Sequence, residues 1–172
     1  ESRVQLTPVD PLEVELGYAL VPMAEPGRGG DLLDRVVAVR KQVAANLGLL
    51  LPYIRVRDNL SLNPYQYVIK LRGIEVGSYE LQPDRYLAMD PGGLDEKVPG
   101  QPTVEPAFGL SGLWISPADK QRAELIGYTV VDPASVLVAH LTEVIKDNAH
   151  QLLGRQEVKG MVDMVKETHP AL

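Results

Sequence analysis

Three consecutive stretches decide the fold: Glu13-Val14-Glu15-Leu16-Gly17-Tyr18-Ala19-Leu20, then Gly30-Asp31-Leu32-Leu33-Asp34-Arg35, then Tyr53-Ile54-Arg55-Val56-Arg57. In the first, Val14, Leu16, Tyr18 and Leu20 alternate with Glu13, Glu15, Gly17 and Ala19. That period of two predicts a half-buried strand over 13–22. Asp31 then stands as an N-cap, and Leu32, Val36, Val39, Val43 and Leu47 recur at helical spacing until Gly48 closes the helix. Pro52 introduces the second strand. A strand, a helix and a strand in this order make a βαβ unit, with parallel strands and a right-handed crossover.

Working outward, Tyr65, Tyr67, Ile69 and Leu71 alternate again, and Arg72-Gly73 separates them from Ile74, Val76 and the run to Leu81, which reads as a β-hairpin. Tyr86 to Met89 gives a further strand. Between Asp90 and Pro106 the chain carries Pro91, Pro99, Pro102 and Pro106 with Gly92, Gly93 and Gly100, and this stretch reads as a long surface loop. Structure resumes at Leu113-Trp114-Ile115. Ser116-Pro117-Ala118-Asp119 then supplies a cap, a proline at the first helical position and an acid in the first turn, opening a short helix to Ile126. Tyr128-Thr129-Val130-Val131 is strand-like, and Asp132-Pro133 repeats the cap-then-proline device for a helix to about Leu153. A second β-rich module therefore spans roughly 84–132. After Gly154, the residues Val158, Met161, Val162 and Val165 mark one more amphipathic helix, with few partners inside this chain. The fold class is α+β (α/β).

Among the 172 residues, 45% are hydrophobic and 23% charged, close to the globular norm, which leaves no case for disorder, collagen or coiled coil. A net charge of −6 weighs against binding to a phosphate backbone, so nucleic acid is not an expected partner. With no cysteine there is no disulfide, thiolate metal site or cysteine nucleophile. No apolar run reaches the roughly 18 residues that a spanning helix needs, and Glu1 to Asp10 does not read as a signal peptide. The chain reads as a piece cut from something larger, which leaves a membrane part elsewhere as an open alternative.

Candidate chemistry is sparse. Gly27-Arg28-Gly29-Gly30 lies between a strand and a helix start, where backbone N–H groups can cradle phosphate. No Lys-Ser or Lys-Thr follows, and Leu32 stands where a third glycine should, so a plain turn is the expectation and a nucleotide-binding α/β domain the rival. His140 and His150 sit ten residues apart on one helix, about 15 Å at 1.5 Å per residue, too far to share a metal. With His169 they read as surface or capping residues, and no metal or cofactor is expected. No serine stands in a nucleophile elbow, and Asp95-Glu96 lies in the proline-rich loop, where carboxylates are solvated. An enzyme is not expected. Arg55, Arg57 and Asp58 close the second strand as a solvated charged edge or as intersubunit salt-bridge partners. In Glu105-Pro106-Ala107-Phe108-Gly109-Leu110 the only phenylalanine emerges from a polar stretch into an apolar run ending in Trp114 and Ile115. Phe108 is either core or the wall of a binding groove.

Several segments, in order and spacing, resemble the cytoplasmic region of the FHIPEP family of flagellar and virulence-type export-gate proteins. They include Asp10-Pro11-Leu12-Glu13-Val14-Glu15-Leu16-Gly17-Tyr18, Gly30-Asp31-Leu32-Leu33-Asp34-Arg35 and Ile54-Arg55-Val56-Arg57-Asp58-Asn59. Further along come Gly127-Tyr128-Thr129-Val130-Val131 and His140-Leu141-Thr142-Glu143-Val144-Ile145. Pro106-Ala107-Phe108-Gly109-Leu110 and Gly154-Arg155-Gln156-Glu157 lean to the flagellar branch, with the virulence-type gate protein as the alternative.

The resemblance implies an inner-membrane protein whose membrane helices are missing here and whose cytoplasmic region assembles as a ring, a nonamer in the family. It implies three subdomains in this piece: 11–83 with 133–153 as the first, 84–132 inserted as the second, and 154–172 as the truncated start of a helical third. It further implies a noncatalytic docking platform for flagellar export chaperone–cargo complexes, in contact with other export-apparatus proteins. The family's chaperone site, a hydrophobic dimple between the first two subdomains, maps to Glu105 and Phe108 on the loop and Ala139 on the helix. Glu105 stands there in place of the family's Asp and Ala139 in place of its Thr.

Overall fold

A computed structural model describes residues 11–48 and 50–150. The elements are β1 (Leu12–Leu16), α1 (Leu32–Leu47), β2 (Ile54–Asp58), β3 (Gln66–Leu71), β4 (Ile74–Glu80), β5 (Tyr86–Met89), β6 (Gln101–Val104), β7 (Ser111–Ile115), α2 (Lys120–Ile126), β8 (Thr129–Val131) and α3 (Pro133–Asp147). They form two four-stranded sheets, ordered β2-β1-β3-β4 and β6-β7-β5-β8. The mixed α/β content agrees with the fold class read from sequence, and β1 pairs parallel to β2, with Val14 opposite Val56.

The first strand is shorter than its pattern predicted. β1 stops at Leu16, and Tyr18–Ala24 winds into a 3-10 helix with Pro22 inside it. Tyr18, predicted to face the core, is exposed, while Leu20 remains buried. Nor is β1 half-buried: all five residues are buried, with Glu13 and Glu15 among them. As a central strand, β1 is flanked by charged side chains from both neighbours. Arg57 Nη2 lies 2.6 Å from Glu15 Oε2, Asn59 Nδ2 donates to Oε1 at 2.9 Å, and Lys70 Nζ sits 3.3 Å from Oε1. Burial raises the Glu15 carboxyl, but the donors Asn59, Arg57 and Lys70 outweigh it and hold the group below its ordinary value. Arg57 also reaches Glu13 at 3.4 Å. The end of β2 is therefore more than a solvated edge, because Arg57 neutralises buried acids on β1.

The other face of β1 carries Leu12, Val14 and Leu16 into the main core with Leu32, Val36, Val39 and Val43 of α1 and Leu137, Leu141 and Ile145 of α3. Asp31 precedes α1 without a side-chain cap bond and instead pairs with Arg35 at 3.0 Å. The Arg35 guanidinium grips Asp132, the N-cap of α3, with two hydrogen bonds of 2.8 and 3.2 Å, and donates to Ser135 Oγ at 3.0 Å. Hydrogen bonding to Asp132 raises the Arg35 pKa. Asp132 feels burial upward, yet Arg35 and Ser135 together leave it lowered. This fork of bonds joins the starts of the two long helices.

The proline-rich stretch is not one long loop, since Gln101–Val104 forms β6 and pairs with β7, Pro102 lying opposite Leu113. As an edge strand β6 tolerates a residue that lacks an N–H. Trp114 and Leu87 of the second sheet pack into the main core, while Ala88, Val98, Ile115, Ala123 and Tyr128 make a smaller one. α3 runs to Asp147, where a turn at Asn148, its Nδ2 bonded to the Val144 carbonyl at 2.8 Å, interrupts it before helical Ala149 and His150, and the predicted end at Leu153 lies outside the described residues. The stripe Val158, Met161, Val162 and Val165 lies outside the described residues. Among those that are described, no helix is long and apolar enough to cross a membrane.

Candidate functional site

β6 and β7 are joined by the hairpin loop 105–110, where two of the three predicted dimple residues lie. Its backbone is closed by Glu105 N–H to the Leu110 carbonyl at 2.8 Å and Gly109 N–H to the Glu105 carbonyl at 3.1 Å. Gly109 has φ +73, a left-handed conformation that glycine adopts without cost. The two residues point opposite ways: Glu105 is 5% exposed and Phe108 64%. Of the two readings of Phe108, the core reading therefore fails, and Trp114, only 2% exposed, is the aromatic that fills the core. Val104 and Leu110 beside it are also exposed, so the hairpin end carries three uncovered apolar side chains. A groove of about 510 Å³ runs along it, lined in part by Ala88, Lys97, Val104, Leu113 and Tyr128.

Behind the loop lies a buried polar cluster that sequence reasoning missed. His140, predicted to be a surface or capping residue, is buried on α3, and its Nδ1 lies 2.7 Å from the Tyr67 hydroxyl on β3. The rings meet edge to face with centroids 5.7 Å apart. Burial lowers the His140 pKa, and the charge of Glu105 opposes it. Burial also pushes the Tyr67 phenol well up, with Tyr79 and Glu105 adding to the effect. The charge at the loop base thus acts on the α3 turn that carries half-buried Ala139, the third predicted residue. The strand that leads into the loop, β6, is tied to β4 through Tyr79 to Thr103 at 2.6 Å and to the segment just after β4 through Gln82 to Gln101 at 2.8 Å. These bonds cross a second groove of about 650 Å³ lined by both sheets. Neither Tyr67 nor His140 carried a local signal, because their pairing depends on β3 meeting α3.

The remaining candidates lie elsewhere. Arg55, Arg57 and Asp58 are on β2, at the opposite edge of the first sheet from β4. In the glycine turn, a Cβ on Gly30 would stand 2.3 Å from the carbonyl oxygens of Pro22 and Met23, so this glycine serves close packing of the chain on itself. Asp31 at the same helix start would repel a phosphate. Among the described residues no group of His, Cys, Asp and Glu is placed to hold a metal ion.

The described residues thus form a βαβ-containing sheet joined to a smaller sheet whose β6–β7 hairpin displays exposed apolar side chains. The chain belongs to the FHIPEP family, whose pattern matches residues 1–172. It is similar to the flagellar biosynthesis protein FlhA of Bacillus subtilis (strain 168), with 53% identity over 172 residues, covering 100% of this chain and 25% of that protein. To FlhA of Escherichia coli (strain K12) it is 42% identical over 163 residues, 95% of this chain and 24% of that protein. The chain thus spans about a quarter of the length of these curated relatives. In fold it is similar to the Chlamydia pneumoniae CdsV protein, with a TM-score of 0.77 at 24% identity, covering 94% of this chain and 49% of that one. It is also similar to nonameric EPEC SctV-C, with a TM-score of 0.61 at 16% identity, over 96% of this chain and 48% of that one.

Proposed function

We propose that this chain is part of the cytoplasmic region of a flagellar type III export gate and acts as a noncatalytic docking platform for export chaperone–cargo complexes. The observation that carries the reading is the outward Phe108 on a hairpin that is hydrogen-bonded within itself. Exposed aromatics on a fixed scaffold are the anchors around which protein interfaces form. Val104, Leu110 and the adjoining groove supply apolar surface around that anchor, and Ala139 lies on the neighbouring helix turn. Similarity to FlhA proteins along the whole chain supports the flagellar assignment.

Under this proposal 11–83 with 133–153 forms one subdomain, 84–132 a second inserted in it, and 154–172 begins a third. The full-length protein sits in the inner membrane with this region on the cytoplasmic side. Ring assembly is part of the same reading, supported by the fold shared with a nonameric relative. Arg55 and Asp58, exposed on the edge strand β2, are the proposed contacts between subunits or subdomains, with Arg57 holding that strand in place.

Titration of the chain with a purified flagellar chaperone–cargo complex tests the docking site. Phe108→Ala should weaken binding by about 2 kcal/mol or more, the scale of an interface hot spot. Binding that is indifferent to Phe108→Ala would place the docking surface elsewhere.

A further inference from the structure

The backbone N–H groups from Glu105 to Leu110 all find acceptors inside the loop. Two close the hairpin, as described. The other three converge on one side chain: Ala107 N–H donates to Glu105 Oε2 at 2.9 Å, and Phe108 and Leu110 N–H donate to Oε1 at 2.7 and 3.2 Å. Pro106 has no N–H to place. The loop is thus an anion-binding concavity filled by its own acid. That acid faces inward at 5% exposure while the adjacent ring faces solvent.

We infer that Glu105 is a positioning residue for the docking surface: its carboxylate shapes the loop that presents Phe108, and it makes no contact with the docked partner. The binding half of this inference rests on the docking reading of Phe108; the loop-shaping half does not. Without the carboxylate, three N–H groups lose their acceptor and turn toward water, the tip samples many conformations, and a partner must order it on binding. The chemistry separates two conservative changes. Glutamine keeps the length but replaces one acceptor oxygen by an NH2 group, which would face a backbone N–H. Aspartate keeps the charge and both oxygens on a stem shorter by one methylene.

Amide 1H–15N spectra and exchange rates of the free chain, together with the same chaperone–cargo titration, test the inference on Glu105→Gln, Glu105→Asp and Phe108→Ala. Dispersed resonances from β1 to β4 in each variant report that it folds. The expected result is that Glu105→Gln moves the Ala107, Phe108 and Leu110 amides, speeds their exchange and weakens binding about tenfold or more, with Glu105→Asp restoring both to within about threefold. If Glu105→Gln weakens binding while the loop amides keep their parental shifts and exchange, the carboxylate meets the partner and the inference is wrong. If the amides move and binding does not, loop shape is irrelevant to docking and the inference is equally wrong. Should Phe108→Ala leave binding intact, the docking reading falls, a result distinguishable from both because the free-chain amides do not depend on it.

Discussion

His140 Nδ1 and the Tyr67 hydroxyl, 2.7 Å apart in the core, join α3 to β3 by a single buried hydrogen bond. Removing the hydroxyl leaves a buried ring nitrogen without its partner. Tyr67→Phe is therefore expected to cost about 1–3 kcal/mol of stability in urea denaturation. A variant as stable as the parent would mean that water or another donor already serves the imidazole.

The same histidine sets a pH dependence. Burial holds its pKa below the ordinary 6.5, against an opposing pull from Glu105. In a window running downward from about pH 6.5 the unfolded chain binds the extra proton and the folded chain does not. Stability is thus full above that window and declines as pH falls through the folded value. Urea midpoints of the parent should drop between pH 7.5 and 5.5, and His140→Gln should flatten that drop. A parent midpoint constant over this interval would refute the assignment.

Glu15 acts at lower pH. Its carboxyl is held below the ordinary 4.5 by Asn59, Arg57 and Lys70 despite the contrary effect of burial. The resulting stability is present above about pH 4.5 and is lost as the pH falls through the lower folded value. Glu15→Gln removes the charge from bonds to two cations, a loss of about 1.5–3 kcal/mol at neutral pH. The variant should show a shallower acid limb below pH 4.5, the remainder coming from groups such as Asp132 that are also held low, and a limb as steep as the parent's would assign it wholly to other carboxylates.

Trp114 on β7 and Phe108 on the β6–β7 hairpin loop should behave oppositely. Trp114→Ala empties a site that is 2% exposed and is expected to cost about 3–5 kcal/mol. Phe108→Ala, at a side chain already 64% exposed, should stay within about 0.5 kcal/mol of the parent. Chemical denaturation of the two variants side by side decides the matter, and a Phe108 loss as large as that of Trp114 would contradict its outward placement.

Gly77 on β4 abuts the His140 ring, and a Cβ there would lie 2.9 Å from Nε2 and 3.1 Å from Cε1. Because Tyr67 holds the ring, it cannot swing away freely, and Gly77→Ala should cost about 1–3 kcal/mol by overpacking. Adding His140→Ala removes the obstacle, so the two changes should be strongly non-additive. Simple additivity in the double variant would show that the ring already yields.

Much of the first sheet was legible because its signals are local. The period of α1 and the alternation on β3 and β4 need no distant partner to be read. The parallel pairing of β1 with β2 was also read correctly, and what failed were inferences that depended on which side chains other elements bring. Glu13 and Glu15 looked like a solvent face until Arg57, Asn59 and Lys70 arrived from other strands. Tyr18 continued an alternation that Pro22 and the 3-10 turn around it cut short. β6 was hidden by Pro102, which an edge strand accepts. At the candidate site, the alternatives for Phe108 were even from sequence alone, since inward and outward aromatics look identical until the β6–β7 pairing fixes which way the tip faces. His140 was misread for the same reason: only β3 and β4, folded against α3, enclose it.

Leu87 near the start of β5 lies opposite Val131 at the end of β8 in an antiparallel pair. The chain thus departs for the smaller sheet and returns from it at neighbouring points, and the strands in between are consecutive. A segment with adjoining ends can gain or lose residues between them without disturbing the register of β1 to β4. Over evolutionary time, residues 86–131 could then diversify as a cassette, each lineage reshaping the 105–110 hairpin while inheriting an unaltered base.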